Sequence, residues 1–438
     1  MEKMRALVQR SHRGPADLVL ATDVPRPVPG PGEHLVRVGA AGLNFADVMQ
    51  SHGTYGGGPA APYIAGFEAA GEIVGEGTRV IGTGAGAFAE YVVMPAAGVL
   101  PVPAGWSDAE ALGMVLNWTT ALAALRPLGE VEAGDVVLVH AAAGGVGQAA
   151  VRLARHYGAR VIATASPAKH HTIQADVVLD SARPDLAEEI LRLTGGVDLV
   201  LESVGKATFD ASLSVTKPFT GRVVVFGAAS GDATLSTHDL VFTHRVQLKG
   251  LHIGALATAA PDSYRALLDE LEVLIAQGVY PPGTAEVHPL ADGPAVLRAL
   301  ESGRTHGKHA LDPWQAPRRH LPVPAPGSTN TRRWQAPVGP LAHDAGDQPG
   351  QHEPENGGET VVDQHAHLVV LQLEQAGEEQ RQRLGDGPHE LDERVGRIGP
   401  QQDHQDVDDL DERDHCPDAG NHSRGRRTAA GNSHSGHD

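Results

Sequence analysis

The stretch His140-Ala141-Ala142-Ala143-Gly144-Gly145-Val146-Gly147-Gln148 carries the clearest chemistry in this sequence. Backbone without side chains can approach phosphate oxygens closely. A helix that starts at such a turn also offers free N–H groups and a partial positive charge. The pattern G-x-G-x-x-G is met at Gly144 and Gly147, with Ala142 in place of the first glycine. Ala143, Gly144, Gly145, Val146 and Gly147 are therefore candidate contacts for a dinucleotide pyrophosphate. An ordinary glycine-rich turn has the same local composition, so the flanking elements decide.

Those elements fit. The apolar run Val136-Val137-Leu138-Val139 precedes the turn, and Ala149, Ala150, Leu153, Ala154 and Tyr157 follow it with helical period. Arg160-Val161-Ile162-Ala163-Thr164-Ala165 reads as a second, parallel strand, which completes a strand–helix–strand unit. Just beyond it stand Ser166 and Lys169, and the stretch 165–169 holds no acid. A site for unphosphorylated NAD places Asp or Glu about 20 residues past the glycines to hold the ribose hydroxyls. A hydroxyl and an ammonium instead suit a 2′-phosphate, which a carboxylate would repel. The expected cofactor is NADPH, with Ser166 and Lys169 among its contacts; a solvated surface lysine is the competing reading of Lys169.

Further along, strand-like segments at residues 197–202, 222–226 and 247–253 alternate with helical ones, which implies a parallel sheet covered on both faces. Phe226 and Gly227 fall at the carboxyl edge of that sheet, where open α/β sheets bind ligands, although Phe226 fits a core position as well. The first third of the chain differs. Arg5-Ala6-Leu7-Val8, Glu33-His34-Leu35-Val36-Arg37-Val38, Glu72-Ile73-Val74 and Ala89-Glu90-Tyr91-Val92-Val93 are short strands separated by Gly and Pro, the pattern of a small barrel-like β domain. A helical stretch over residues 108–125 joins the two parts. A helix over 264–277 and short strands up to 312 lead back toward the β domain.

Composition bounds the function. The 438 residues carry a formal charge of −19, which argues against nucleic acid or an anionic membrane as the main partner. The single cysteine, Cys416, excludes an intrachain disulfide and a cysteine-built zinc cage. No apolar run approaches the roughly 18 residues that span a bilayer. Residues 1–5 lead into a strand-like segment rather than a signal core, so a soluble cytoplasmic protein is expected.

The chain changes character near residue 314. Residues 315–438 contain no Lys, Phe or Tyr, and their 12 Arg stand against 22 acidic residues. A segment so poor in large apolar groups cannot offset its ordering entropy, and disorder is expected there. Its 11 histidines are scattered without ligand spacing, so no metal is assigned to them. Opposite-strand translation of GC-rich Leu and Val codons would give a similar bias toward Gln, Glu, Asp and His.

Residues 1–314 resemble the zinc-independent, quinone-oxidoreductase-like (zeta-crystallin-like) branch of the medium-chain dehydrogenase/reductase superfamily. The matching segments occur in family order: Gly42-Leu43-Asn44-Phe45-Ala46-Asp47, Gly53-Thr54-Tyr55, residues 62–71 with Gly66-Phe67-Glu68, the glycine stretch, Gly221-Arg222-Val223-Val224-Val225-Phe226-Gly227 and Gly307-Lys308. The resemblance implies an α/β chain with a GroES-like β domain (1–120), a Rossmann doubly wound parallel sheet (121–255) and a return to the first domain (256–314). It also implies a nicotinamide cofactor in the cleft between them, and a homodimer. Asn44 would contact the nicotinamide or ribose, Asp47 would orient the pocket, and Thr120 would lie near the nicotinamide, a plain helix N-terminal hydroxyl being its competing reading. Asn44 and Asp47 are equally of the type that bonds its own turn. Tyr55 is a candidate pocket hydroxyl able to donate to a substrate oxygen, and a packing residue in the competing reading. The segment 169–177 is shorter than in the family, at the expected adenosine side.

Metal-using relatives hold zinc through a cysteine, the His of a Gly-His-Glu motif and a later cysteine. Here those places hold Asn44 and Phe67, and no cysteine precedes position 416. Zinc needs about three N, S or O ligands, so no metal site is assigned. Metal-free hydride acceptors are quinones and α,β-unsaturated carbonyls, which spread the arriving charge themselves. The sequence therefore points to an NADPH-dependent reductase of such substrates. The alternatives are an enoyl-thioester reductase and a catalytically idle NADPH-binding or structural protein.

Overall fold

A computed structural model of the chain describes residues 2–316. The disorder expected of residues 315–438 falls outside them, Gln315 and Ala316 excepted.

The N-terminal part is built on strands β1 (Lys3–Gln9), β2 (Leu18–Pro25), β3 (Glu33–Leu43), β4 (Tyr63–Ile64), β5 (Glu68–Ile73), β6 (Arg79–Thr83), β7 (Tyr91–Pro95) and β8 (Leu100–Pro101). β1 pairs with β2 and β4; β3 pairs with β5 and β7, and β5 continues to β6 and β8. β3 bulges between Val38 and Ala40 opposite β5. The backbone closes so tightly there that a Cβ on Gly71 would stand 2.1 Å from the Arg37 carbonyl oxygen, which is why this strand carries a glycine. Val36, Val38, Ala69, Phe88, Val92 and Met94 fill its core. Helix α1 (Phe45–Ser51) follows β3 directly.

The stretch 108–125, read from sequence as one helix, is three pieces: α2 (Asp108–Ala111), a π turn (Met114–Trp118) and α3 (Thr119–Leu125). Gly113, at φ +97°, takes a left-handed backbone that no helix can continue through.

The second part is a six-stranded, all-parallel sheet of β9 (Val136–Val139), β10 (Arg160–Ala165), β11 (Val177–Asp180), β12 (Leu199–Glu202), β13 (Arg222–Val225) and β14 (Gln247–Gly250). Its spatial order is β11-β10-β9-β12-β13-β14. The strand order reverses between β9 and β12, successive strands being added first to one side of β9 and then to the other, and ligands bind in the crevice at the carboxyl ends of such a pair. Val137, Leu138 and Val139 are fully buried or nearly so, as a strand covered on both faces requires. Helix α4 (Gly145–His156) lays Ala149, Ala150, Leu153 and Ala154 on one face, with α3 and α8 (Pro261–Ala276) packed beside it; α5 (Leu186–Thr194) and α6 (Phe209–Val215) cover the other. The shortened segment after β10 is a 3-10 turn, Pro167–Thr172, where a longer helix would otherwise stand.

After α7 (Ile253–Ala259) and α8 the chain forms β15 (Glu286–Pro289), α9 (Gly293–Glu301) and β16 (His309–Asp312). β16 pairs antiparallel with β3, which returns the chain to the first sheet. Among the described residues no helix is long and apolar enough to cross a membrane.

Candidate active site

The glycine turn leaves β9 and enters α4. Ala141 sits in the left-handed region at φ +48°, an unusual place for a residue with a Cβ, and Ala142 is fully buried behind it. Gly147 is dictated by packing: a Cβ there would meet the Ala141 carbonyl oxygen at 2.5 Å and the Ala142 Cα at 2.6 Å. Gly144 has no such crowding, its nearest neighbour being 3.4 Å away, so its bare backbone leaves room for a ligand. The N–H groups of Gly145, Val146 and Gly147 occupy the first turn of α4 and have no intrahelical acceptor. Ala143 faces the other way, its carbonyl accepting from the Gly307 N–H at 2.8 Å and from the Gln148 side chain at 3.2 Å.

The floor of this crevice is polar and closed. Glu202, at the end of β12, accepts from the Val204 and Gly205 N–H groups and from the hydroxyls of Thr208 and Ser212. The Ser212 hydroxyl lies 3.0 Å from His140 Nε2, and Thr164 Oγ1 lies 2.9 Å from His140 Nδ1. Because Ser212 donates to Glu202, it accepts from a His140 protonated at Nε2. Burial holds this imidazole below its ordinary pKa, and hence neutral.

At the end of β10, Ser166 precedes the 3-10 turn with its side chain unused in capping. Lys169 Nζ donates to the Gly303 carbonyl at 2.6 Å, which leaves two donors and holds the ammonium against the loop after α9. Burial lowers its pKa. Phe226 lies one residue past β13, its N–H bonded to the Glu202 carbonyl, and packs against the core. Gly227 follows at a place where a Cβ would come 2.8 Å from the Ser203 carbonyl oxygen. Thr120 lies buried in the first turn of α3.

Asn44 belongs to a network that sequence reasoning did not assemble. Glu68, fully buried at the start of β5, accepts from the Gly113 N–H at 2.7 Å through Oε1. Its Oε2 accepts from Asn44 Nδ2 at 3.0 Å and from Lys308 Nζ at 2.5 Å. Asn44 Oδ1 in turn accepts from Lys308 Nζ at 2.8 Å and from Asn117 Nδ2 at 3.1 Å. Gly42 makes room for the ion pair, since a Cβ there would stand 2.3 Å from Glu68 Oε2 and 2.9 Å from Lys308 Cε. Both oxygens of Glu68, both polar side-chain atoms of Asn44 and the Lys308 ammonium have partners, as a buried charge pair requires. Glu68 and Lys308 lie in segments that carry the family resemblance, yet nothing local marked them as partners. Asn117, three residues before Thr120, completes the set.

Asp47 caps its own turn: Oδ2 accepts from the Asn44 N–H at 2.7 Å, the bonding pattern weighed for this pair from sequence. Its Oδ1 is buried without a partner, and burial pushes the carboxyl up to about 8, so it is mainly protonated at neutral pH. Tyr55 stacks on Phe67 with ring centroids 6.4 Å apart and tilts against His252 at 5.3 Å. Burial, then the charge of Asp47, raises its pKa and keeps the phenol protonated. Phe67 thus spends its ring on Tyr55 and offers no metal ligand.

The structure brings Asn44 and Asp47 together and seats Tyr55 on Phe67, while Asn117 links Asn44 to the glycine turn, its Oδ1 standing 2.9 Å from where a Cβ on Gly145 would be. The Gly307 N–H to Ala143 bond holds the segment bearing Lys308, just before β16, against the cradle. A cavity of about 410 Å³ touches the network at Gly113, Asn117 and Lys308 and is lined along α4 by Gln148, Arg152 and Arg155, with Trp118 and Tyr280; Asn44, Asp47, Tyr55 and Phe226 lie outside its lining.

Comparison with known proteins agrees with this architecture. Residues 30–104 match the alcohol dehydrogenase GroES-like domain, and residues 145–272 the family described as zinc-binding dehydrogenase. The chain is 33% identical to mycobacterial Rv1454c, solved in complex with NADPH, over 71% of its own length and all of the other, with a TM-score of 0.67. It is 31% identical to a quinone oxidoreductase of Pseudomonas syringae (71% of this chain, all of that one, TM-score 0.65). It is 28% identical to the CurK enoyl reductase (71% and 99%, TM-score 0.65). Curated relatives include a mycocerosic acid synthase-like polyketide synthase of Mycobacterium tuberculosis, 33% identical over 312 residues, which are 68% of this chain but only 15% of that protein. With its glycine cradle, its GroES-like and Rossmann parts and its full-length likeness to these oxidoreductases, the chain belongs to the zinc-independent, quinone-oxidoreductase-like branch of the medium-chain dehydrogenase/reductase superfamily.

Proposed function

We propose that this protein is an NADPH-dependent reductase that delivers hydride to a quinone or a related α,β-unsaturated carbonyl without a metal. The observation that carries the reading is the pairing of two sites across one crevice. One is a backbone cradle of free N–H groups at α4. The other is the Lys308 ammonium, seated between Asn44 and Glu68 and tied to the cradle by the Gly307–Ala143 hydrogen bond. NADPH, when bound, supplies the hydride from its nicotinamide. The first-turn amides of α4 would take its pyrophosphate, and Ser166 with the two free donors of Lys169 its 2′-phosphate.

Charge builds on the acceptor's oxygen as hydride arrives, and a protein group must hydrogen-bond or protonate it. In this reading Tyr55 is the donor to that oxygen: its phenol stays protonated and has only ring contacts in Phe67 and His252. Lys308 supplies a fixed positive field rather than a proton, because its bonds go to Glu68 and Asn44.

A second reading, enoyl-thioester reduction, is supported by the likeness to the CurK enoyl reductase and by a cavity whose lining includes Lys308 and two arginines of α4, Arg152 and Arg155, able to meet an anionic carrier. Rapid-mixing loss of NADPH absorbance with a quinone, a simple enone and an enoyl-CoA separates the readings. Faster turnover of quinone or enone supports the first, and faster turnover of enoyl-CoA the second. Tight NADPH binding with no turnover of any of the three overturns both in favour of an idle binding protein.

The reading includes a cytoplasmic homodimer. β14 is an edge strand, and Val241, Phe242 and Leu248 beside or on it are 55%, 66% and 42% exposed, an apolar strip suited to a second copy. A monomer mass in light scattering would remove that part.

A further inference from the structure

Glu286 and His288 stand two apart on edge strand β15 and so share a face. The parallel register sets Glu286 directly beside His309 of β16. His288 Nε2 lies 3.0 Å from His309 Nδ1, and the Glu286 carboxylate oxygens lie 3.7 Å from the first and 3.8 Å from the second. Ligands bonded to zinc at about 2.0–2.2 Å in a tetrahedral shell stand roughly 3.3–3.6 Å from one another, close to these separations.

The chemistry of the three groups points the same way. Two imidazole nitrogens this close face each other across one shared proton, a place that a cation bonded to both would take over. Both histidines are largely buried, with side chains 13% and 9% exposed, so their orientation is fixed by packing. The carboxylate is 62% exposed and, among the described residues, pairs with no lysine or arginine. It is free to close on an ion and to leave a fourth position to water. Two nitrogens and one oxygen favour a borderline ion of the zinc type over magnesium or calcium, which take oxygen shells.

We propose that Glu286, His288 and His309 form a binding site for a zinc-type divalent cation. The site clasps edge strand β15 to β16. Because His309 adjoins Lys308, the bound ion stiffens the strand start that carries the buried ammonium. Its three ligands are not the positions by which metal-using relatives hold zinc, here Asn44 and Phe67, although the register sets His309 beside Leu43.

Equilibrium dialysis of the untagged full-length chain against zinc tests this, with magnesium as the control. The many other histidines make the difference between variants the readout. Wild type is expected to retain one zinc more per chain than His288→Ala, and to melt at a higher temperature with zinc where His288→Ala does not. Glu286→Gln, at an exposed position that folding tolerates, is expected to bind that zinc about tenfold more weakly or worse. Equal retention by wild type and either variant, or no zinc retained at all, overturns the proposal.

Discussion

The two walls of the crevice are held together by different physics. The cradle comes from one continuous stretch, residues 136–165, and works through backbone: bare glycines, a helix N-terminus and close strand-to-helix packing. The opposite wall is assembled from Asn44, Glu68, Asn117 and Lys308, with Lys308 240 and 264 residues from its two acceptors. It works through side-chain charge held away from water. A backbone cradle fails when volume is added to it. A buried charge network fails when one charge is left alone, and it recovers when the other is removed as well.

That contrast gives the largest expected effect. Lys308→Met leaves Glu68 fully buried with two neutral donors and no cation. Breaking such a pair costs about 3–5 kcal/mol, seen as a fall in the denaturant midpoint. Adding Glu68→Gln to the same chain is expected to restore much of it. If the double variant is no more stable than the single, the network is not governed by charge.

Gly147→Ala attacks the other wall. The added methyl meets backbone atoms of Ala141 and Ala142, which have little room to yield, and overpacking of this kind costs about 1–3 kcal/mol. NADPH affinity is expected to fall by roughly tenfold to a hundredfold, with no rescue from any change of charge. Calorimetric titration of the folded variant reads this directly, and unchanged affinity would separate the cradle from the cofactor.

These differences also explain what the sequence disclosed. The cradle was legible because its signal is local: Val136–Val139, the glycines, then a helical repeat on Ala149, Ala150 and Leu153. The turn bonding of Asn44 and Asp47 was legible for the same reason, since residue types at a spacing of three define it. The network was not. Glu68 opens a strand as Glu68-Ala69-Ala70, where a charge ordinarily points to solvent, and only the β3–β5 register and the return of β16 bring it to Lys308. The π turn before α3 was missed although Gly113 announced it, because helical composition continued on both sides.

Lys169→Glu probes an edge of the cradle where charge does matter. A carboxylate there repels a 2′-phosphate and can accept from ribose hydroxyls. Preference should move from NADPH toward NADH by about tenfold, the worth of one hydrogen bond to a charged group. Equal preference in the variant and the wild type, read as the ratio of kcat/KM for the two cofactors, would reduce Lys169 to its bond with Gly303.

The most gradual effect belongs to Asp47, which is a local cap and a buried ionisable group at once. Unfolded, its carboxyl titrates near the ordinary 3.8; folded, near 8. Below the first value both states hold the proton and the contribution to stability is complete. Between the two, the unfolded chain gives the proton up while the folded chain keeps it, so stability drains away as pH rises through about 8. The slope is at most about 1.4 kcal/mol per pH unit. Asp47→Asn keeps an acceptor for the Asn44 N–H and has no proton to hold. The variant is therefore expected to gain on wild type steadily from about pH 5 to about pH 8 in denaturant midpoints measured across that range. A difference that does not change with pH would mean that Asp47 is ionised in the folded protein. The crevice would then hold two buried carboxylates, Asp47 and Glu68, against the single ammonium of Lys308.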